Sequence, residues 1–207
     1  MKNSIPHKCL NEPLILASAS PRRSYLLEQA GLDFEVIVSE VDETCPAGAS
    51  PEECVAMLSE KKALAVAIDH PDCWVLGADT IVVADGRICG KPGSTKEARE
   101  MLTLLGGRTH HVLTGCCILH EARGIRHTEV VSTRVTFKSL TPDEIEWYLD
   151  TGEPFDKAGA YAIQGIGTFL VKSISGSYTN VVGLPVCEVI EYFMAQGIIN
   201  RNSDSND

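Results

Sequence analysis

Trp74-Val75-Leu76-Gly77-Ala78-Asp79-Thr80-Ile81-Val82-Val83-Ala84-Asp85-Gly86-Arg87 is the stretch that decides the fold. Trp74 to Ala84 reads as one long strand, and Ala84-Asp85-Gly86-Arg87 as the turn of a hairpin. Upstream, Leu14–Ala17 is a short apolar strand, residues 21–30 form a helix closed by Gly31, and Phe34–Val38 is a second strand. Ser50-Pro51-Glu52-Glu53 is a capping box that opens a helix to about Ile68. Downstream, Ser94 or Thr95 starts a helix ending at Gly106-Gly107, and His110–His120 and Thr128–Phe137 are two long strands. Thr141-Pro142-Asp143-Glu144 caps a helix to about Leu149, Thr168–Ile174 is a strand, and Pro185–Gln196 is a final helix. Helices alternate with strands, yet hairpins intervene, so the expected class is α/β with a mixed rather than purely parallel sheet. A twisted sheet flanked by helices, with a cleft between two lobes, is the expected shape. Residues 14–197 read as one domain of two lobes. Residues 1–13 read as an N-terminal extension, and 198–207 as a flexible acidic tail.

Bulk properties narrow the function. The chain has 207 residues, 44% of them apolar, and a formal net charge of −10. Such an acidic chain argues against nucleic-acid or anionic-membrane partners. No apolar run reaches the roughly 18 residues of a membrane span. Met1 to Pro13 lacks the apolar stretch of a signal peptide, so the expected compartment is the cytoplasm. The eight cysteines form no C-x-x-C pair, which argues against a zinc site. They read as eight free thiols in a reducing cytosol.

Charged side chains in unexpected places point to a small anionic ligand. In Ser18-Ala19-Ser20-Pro21-Arg22-Arg23, Ser20 reads as an N-cap and Pro21 as the first helical residue. Arg22 and Arg23 then fall in the first turn, where the helix dipole disfavours cations. They make sense if an anion lies over that end, held by backbone N–H groups and guanidinium contacts. Lys62 and Lys91 occur in similar settings. Taken alone, Lys61-Lys62 reads as a solvated helix face and Lys91-Pro92 as a turn. Asp79 is the anomaly of its strand, since a carboxylate among apolar residues costs several kcal/mol, on the order of 3–5, unless compensated. It reads either as a buried acid paired with a lysine, or as a metal ligand or general base. Gly77 and Ala78 keep the backbone before it open, as a close ligand requires. His110-His111 are adjacent in a strand, point to opposite faces and form no metal pair. No G-x-x-x-x-G-K-[ST] is present, which excludes a P-loop.

Nine segments in order carry a resemblance. They are Leu16-Ala17-Ser18-Ala19-Ser20-Pro21-Arg22-Arg23, Val41-Asp42-Glu43-Thr44, Glu60-Lys61-Lys62-Ala63, Gly77-Ala78-Asp79-Thr80, Gly90-Lys91-Pro92, Thr114-Gly115, Gly152-Glu153-Pro154-Phe155-Asp156-Lys157-Ala158-Gly159, Ile163-Gln164-Gly165 and Gly183-Leu184-Pro185. In these the chain resembles the Maf family of nucleoside triphosphate pyrophosphatases. The resemblance implies a fold like that of the inosine triphosphate pyrophosphatases, with two lobes around a nucleotide cleft. It implies hydrolysis of nucleoside triphosphates to the monophosphate and pyrophosphate with a divalent cation, Mg²⁺ or Mn²⁺.

Arg22, Thr80 and Gln164 match the branch of the family that prefers dTTP, UTP and modified pyrimidine triphosphates, and are implied to read the base. Asp79 is implied as proton acceptor and, with Glu43, as holder of the metal. Ser18, Ser20, Arg23, Lys62 and Lys91 are expected on the phosphates, with Lys157 a fourth basic candidate. A homodimer is also implied. Two other readings stand beside this one: a nucleotide-binding regulator of septum formation with little turnover, and a 7-methyl-GTP pyrophosphatase. Arg22 in place of tryptophan argues against the last. Ala162 stands where many relatives carry glycine, and would be penalised if its φ were positive.

Overall fold

The computed structural model describes residues 12–199. Most of the expected N-terminal extension and of the acidic tail, and Cys9 with them, lie outside the described residues. The chain runs β1 (Leu14–Ala17), α1 (Pro21–Gln29), β2 (Glu35–Val36), α2 (Pro51–Ala67), β3 (Trp74–Ala84), β4 (Arg87–Cys89) and α3 (Thr95–Leu105). It continues with β5 (Thr109–His120), β6 (Ile125–Phe137), α4 (Pro142–Asp150), β7 (Val171–Ser175), α5 (Tyr178–Val182) and α6 (Val186–Ala195). Seven strands form one sheet in the order β2-β1-β3-β5-β6-β7, with β4 also on β3. β1 is parallel to β2 and β3, and the remaining pairs are antiparallel. The expected mixed sheet is therefore present. Both capping boxes form, Ser50 with Glu53 and Thr141 with Glu144. Asp85 and Gly86 make the hairpin turn with φ of 48° and 73°.

β3 carries the architecture because two strands share one of its edges. β1 pairs with it from Trp74 to Gly77, and β4 from Val82 to Ala84. Ala78 to Ile81 have no strand partner on that edge, while β5 covers the other edge from Val75 to Val83. The apolar packing breaks at the same place. On one face Trp74, Leu76 and Ala78 join a cluster with α1 and α6, whereas Val82 and Ala84 join another with α3 and α4. On the opposite face Val75 and Ile81 belong to separate clusters. The polar pair Asp79-Thr80 fills the gap on both faces, and this break separates the two lobes.

Gly77 has a different reason from the expected one. The space beside it is taken by protein: a Cβ there would run into the Ser59 carbonyl and come within 2.7 Å of the Ala63 nitrogen. Gly115, paired with Asp79 on β5, has the Val55 carbonyl in the same position. The two glycines let the backbone of α2 lie directly on the sheet.

Other expectations need correction. β2 spans only two residues, because Ile37 N–H donates to Leu16 O (3.1 Å) and the chain then leaves the sheet. β7 begins at Val171, since Gly165–Leu170 coil into a 3₁₀ segment. The short α5, capped by Ser177 accepting from Asn180 N–H, was not anticipated. Ala162 has no positive φ; among non-glycine residues described, Asp85 and Ala160 do, and Ala160 lies at 58°. The cysteines are not all free. Cys45 and Cys54 form a disulfide with Cα atoms 5.4 Å apart, within the usual span of such a bond. The loop before α2 turns back over its first turn and brings the two thiols together. Cys73, Cys89, Cys116, Cys117 and Cys187 are free. His110 is buried against Phe137, with Nε2 2.8 Å from the Tyr161 hydroxyl, and burial lowers its pKa to about 4, so it is neutral at pH 7.

Gly115→Ala forces α2 off the sheet and is expected to destabilise the protein by about 2–4 kcal/mol. Urea unfolding of the variant, with a lower midpoint at unchanged slope, is the check.

Candidate active site

The gap on β3 is the floor of a cleft of about 550 Å³. β1 ends at its rim, and the turn Ser18-Ala19-Ser20 leads from there into α1. Ser20 N–H donates to Ser18 Oγ (3.2 Å), and the Ser20 side chain makes no capping bond. Both serines line the cleft.

Arg23 is buried and braces three segments. Its Nε donates to the Gly183 carbonyl (2.8 Å), Nη1 to Ser18 Oγ (2.9 Å) and Nη2 to Thr80 Oγ1 (3.1 Å). Burial lowers its pKa and the Asp79 charge opposes that shift. Thr80 also contacts Thr114 Oγ1 (3.0 Å), which donates to Asn180 O (3.1 Å). Gly183 bends the chain at φ 131° and thereby supplies the carbonyl that Arg23 needs.

On the opposite face of β3, Lys62 Nζ lies 2.7 Å from Asp79 Oδ1 and 2.7 Å from Glu43 Oε1. The Lys62 and Asp79 side chains are 9% and 12% exposed, and Glu43 is 54% exposed. The hydrogen bond from Lys62 holds the Glu43 carboxyl below its usual range, against the opposing effect of partial burial. Adjacent lysines thus part company. Lys61 points outward and donates to Asp42 O (2.9 Å), while Lys62 turns in. Asp42 Oδ1 accepts from Thr44 N–H (3.0 Å) and Thr44 Oγ1 (2.6 Å), shaping the loop that presents Glu43.

The other wall comes from the second lobe. Arg22 Nη1 is 3.5 Å from Asp156 Oδ2 across the cleft. Lys157 Nζ is occupied by Asp156 Oδ1 (2.5 Å) and Glu153 O (2.7 Å). Lys91 is exposed on the same cleft, beside Gly90, whose carbonyl accepts from Gly159 N–H (3.0 Å). Gln164 lines the cleft and, with Pro21, Arg22 and Tyr25, a shallow hollow at its mouth. Every site residue expected from the sequence borders this one cleft. Thr80 stands with Arg23 and Thr114, and no hydrogen bond links it to Gln164. The Gly183 carbonyl, Thr114 and Asp156 were not anticipated as parts of the site, although each lies in a segment that carried the resemblance.

The donor set suits one hard divalent cation. Asp79 and Glu43 already share a single ammonium, so one oxygen of each converges on the same point, and Cys45, which also lines the cleft, is held in its disulfide. Among the described residues no group of three or more His, Cys, Asp or Glu could hold a metal. Two carboxylates leave the remaining positions to phosphate and water, as Mg²⁺ prefers.

Residues 13–196 match the family described as Maf-like protein. The dTTP/UTP pyrophosphatase of Syntrophus aciditrophicus (strain SB) is 51% identical over 198 residues, spanning 96% of this chain and 97% of that protein. The dTTP/UTP pyrophosphatase of Halalkalibacterium halodurans is 51% identical over 190 residues, 92% of this chain and 99% of its own length. Among solved structures, the Staphylococcus aureus Ham1 protein aligns with a TM-score of 0.49 at 14% identity, covering 90% of this chain and 100% of that one. That likeness is too loose to bear on function.

Lys62→Met leaves Asp79 and Glu43 without the charge between them and is expected to destabilise the protein by about 3 kcal/mol. Adding Asp79→Asn removes the orphaned charge, so the double variant should be more stable than the two single losses summed, by about 1–3 kcal/mol. Urea unfolding of the four proteins measures that coupling.

Proposed function

The chain belongs to the Maf family, and from that membership we propose that it hydrolyses dTTP and UTP to the monophosphate and pyrophosphate. The observation that carries this reading is the meeting of Arg22, Arg23, Lys62 and Lys91 with Asp79 and Glu43 around one cleft in a chain of net charge −10. Relatives at 51% identity over nearly their whole length bear the name dTTP/UTP pyrophosphatase.

In this reading water attacks the α-phosphorus, the bond to the β-phosphate breaks, and the electron pair leaves with pyrophosphate. Asp79 takes the proton from the water. Lys62 fixes one Asp79 oxygen, and no hydrogen bond ties the other among the described residues. Charge builds on the phosphate oxygens, where fixed cations stabilise it without reorganising. Lys91, Lys62 and the hydrogen-bonded guanidinium of Arg23 fill that role, with the hydroxyls of Ser18 and Ser20 as donors. Asp79 and Glu43 would hold a divalent cation, which neutralises phosphate charge and polarises the reacting phosphoryl group.

Gln164 offers a donor and an acceptor to the O4/N3–H edge of thymine or uracil, and Arg22 a donor to a carbonyl oxygen. Thr80 acts on the base indirectly in this scheme, through the Arg23 brace at the start of α1. Cytosine and adenine place an amino group where these donors need an acceptor, and the unpaired donors give the discrimination. We take the enzyme to act as a homodimer in the cytoplasm on free nucleotides rather than nucleic acid. Among the described residues no helix is long and apolar enough to cross a membrane.

A panel of nucleoside triphosphates tests the assignment: pyrophosphate rather than orthophosphate should appear, fastest from dTTP and UTP. Orthophosphate release, or equal rates for all bases, contradicts it. Asp79→Asn should lower turnover by about 10²–10⁴-fold while calorimetry still records nucleotide binding. EDTA should stop the reaction and added Mg²⁺ or Mn²⁺ restore it; activity that survives EDTA removes the metal from the scheme.

A further inference from the structure

We propose that Glu153 is the positioning residue for the base-reading segment, acting with Tyr148 to set the backbone on which Gln164 stands. This rests on the reading of Gln164 as the pyrimidine contact and deepens it. Neither Glu153 nor Tyr148 lines the cleft, so neither can meet the nucleotide itself.

The carboxylate is the hub. Glu153 Oε1 accepts from Gly167 N–H (2.9 Å) and from the Tyr148 hydroxyl (2.8 Å), and Oε2 accepts from Ile166 N–H (2.9 Å). The Tyr148 hydroxyl in turn accepts from Ala162 N–H (3.3 Å). The segment Ala162–Gly167 is therefore held at both ends, by Tyr148 before Gln164 and by Glu153 after it. Its glycines fit this arrangement. Gly165 has φ +74°, and a Cβ there would lie 2.6 Å from Glu153 Oε2. A Cβ on Gly167 would lie 2.6 Å from the Tyr148 hydroxyl. The chain folds closely around the two side chains, and any residue larger than glycine would displace them.

The anchor is rigid. Tyr148 is fully buried on α4, edge-on to Phe169. Burial works against charge on Glu153, but the Gly167 N–H, Tyr148 hydroxyl and Ile166 N–H bonds outweigh it and hold the carboxyl below its usual range. An ionised carboxylate makes stronger hydrogen bonds to N–H than a neutral acceptor does. A neutral amide of the same shape turns an NH₂ group toward one of the three donors, and that donor loses its partner.

The test is Glu153→Gln, with Tyr148→Phe as the milder second variant. Hydrogen exchange of the ligand-free proteins should speed up at Ala162–Gly167 and not at β3. KM for dTTP and UTP should rise about tenfold in Glu153→Gln with kcat within about threefold, the size expected for a lost charge-assisted hydrogen bond. The ratio of kcat/KM for dTTP over dCTP should fall by a similar factor. Tyr148→Phe should shift exchange and ratio in the same direction by about threefold, and it decides the matter if Glu153→Gln does not fold. An unchanged base ratio, an equal loss on every nucleotide carried by kcat, or unchanged exchange at Ala162–Gly167 overturns the proposal. Failure of the wild type to favour dTTP and UTP overturns the reading of Gln164 instead; the exchange experiment still judges whether Glu153 sets the segment.

Discussion

Direct contact between the backbone of α2 and the sheet is the constraint on which the rest depends. Gly77 and Gly115 face the helix where its Ser59 and Val55 carbonyls sit, and no side chain fits between. At that depth Lys62 reaches under the floor of the cleft and meets Asp79. A helix one side chain higher would leave the Asp79 carboxylate without a partner, at a cost of several kcal/mol, roughly 3–5. Close packing here is what makes a buried acid tolerable.

The cleft follows from the way β3 is shared. A strand bordered along its whole length has no room for substrate at its middle. Here the parallel neighbour stops at Gly77 and the hairpin neighbour begins at Val82, and the residues between point alternately to the two faces. Thr80 therefore joins the Arg23 brace while Asp79 joins Lys62. Two networks from opposite faces meet at one opening: Lys62 is paired with the carboxylates of Asp79 and Glu43, while Arg23 is held by neutral oxygens on the other face.

Much of this was legible in the sequence. The bounds of β3, both capping boxes and the Asp85-Gly86 turn follow from local patterns, and the structure reproduces them. Asp79 stands out because an apolar strand has no use for it. Other features were hidden because they depend on partners distant in the chain. Gly77 looks open in sequence, yet the helix backbone at Ser59 and Ala63 fills the space, as glycine at a close approach allows. Lys61 and Lys62 are indistinguishable until the helix is docked. Cys45 and Cys54 lack any spacing signature, and only the return of the loop over α2 joins them. Ala160, not Ala162, takes the left-handed conformation, because Gly159 before it packs on Val82 and fixes the turn.

The loop that presents Glu43 is tied to α2 three times over: by Lys61 on Asp42, by Lys62 on Glu43 and by the Cys45–Cys54 bond. Helix and loop accordingly behave as one rigid jaw, seated on the sheet. Opening of the cleft to admit a nucleotide and let pyrophosphate go is then expected on the facing side, where Arg22 of α1 and Asp156 touch at 3.5 Å.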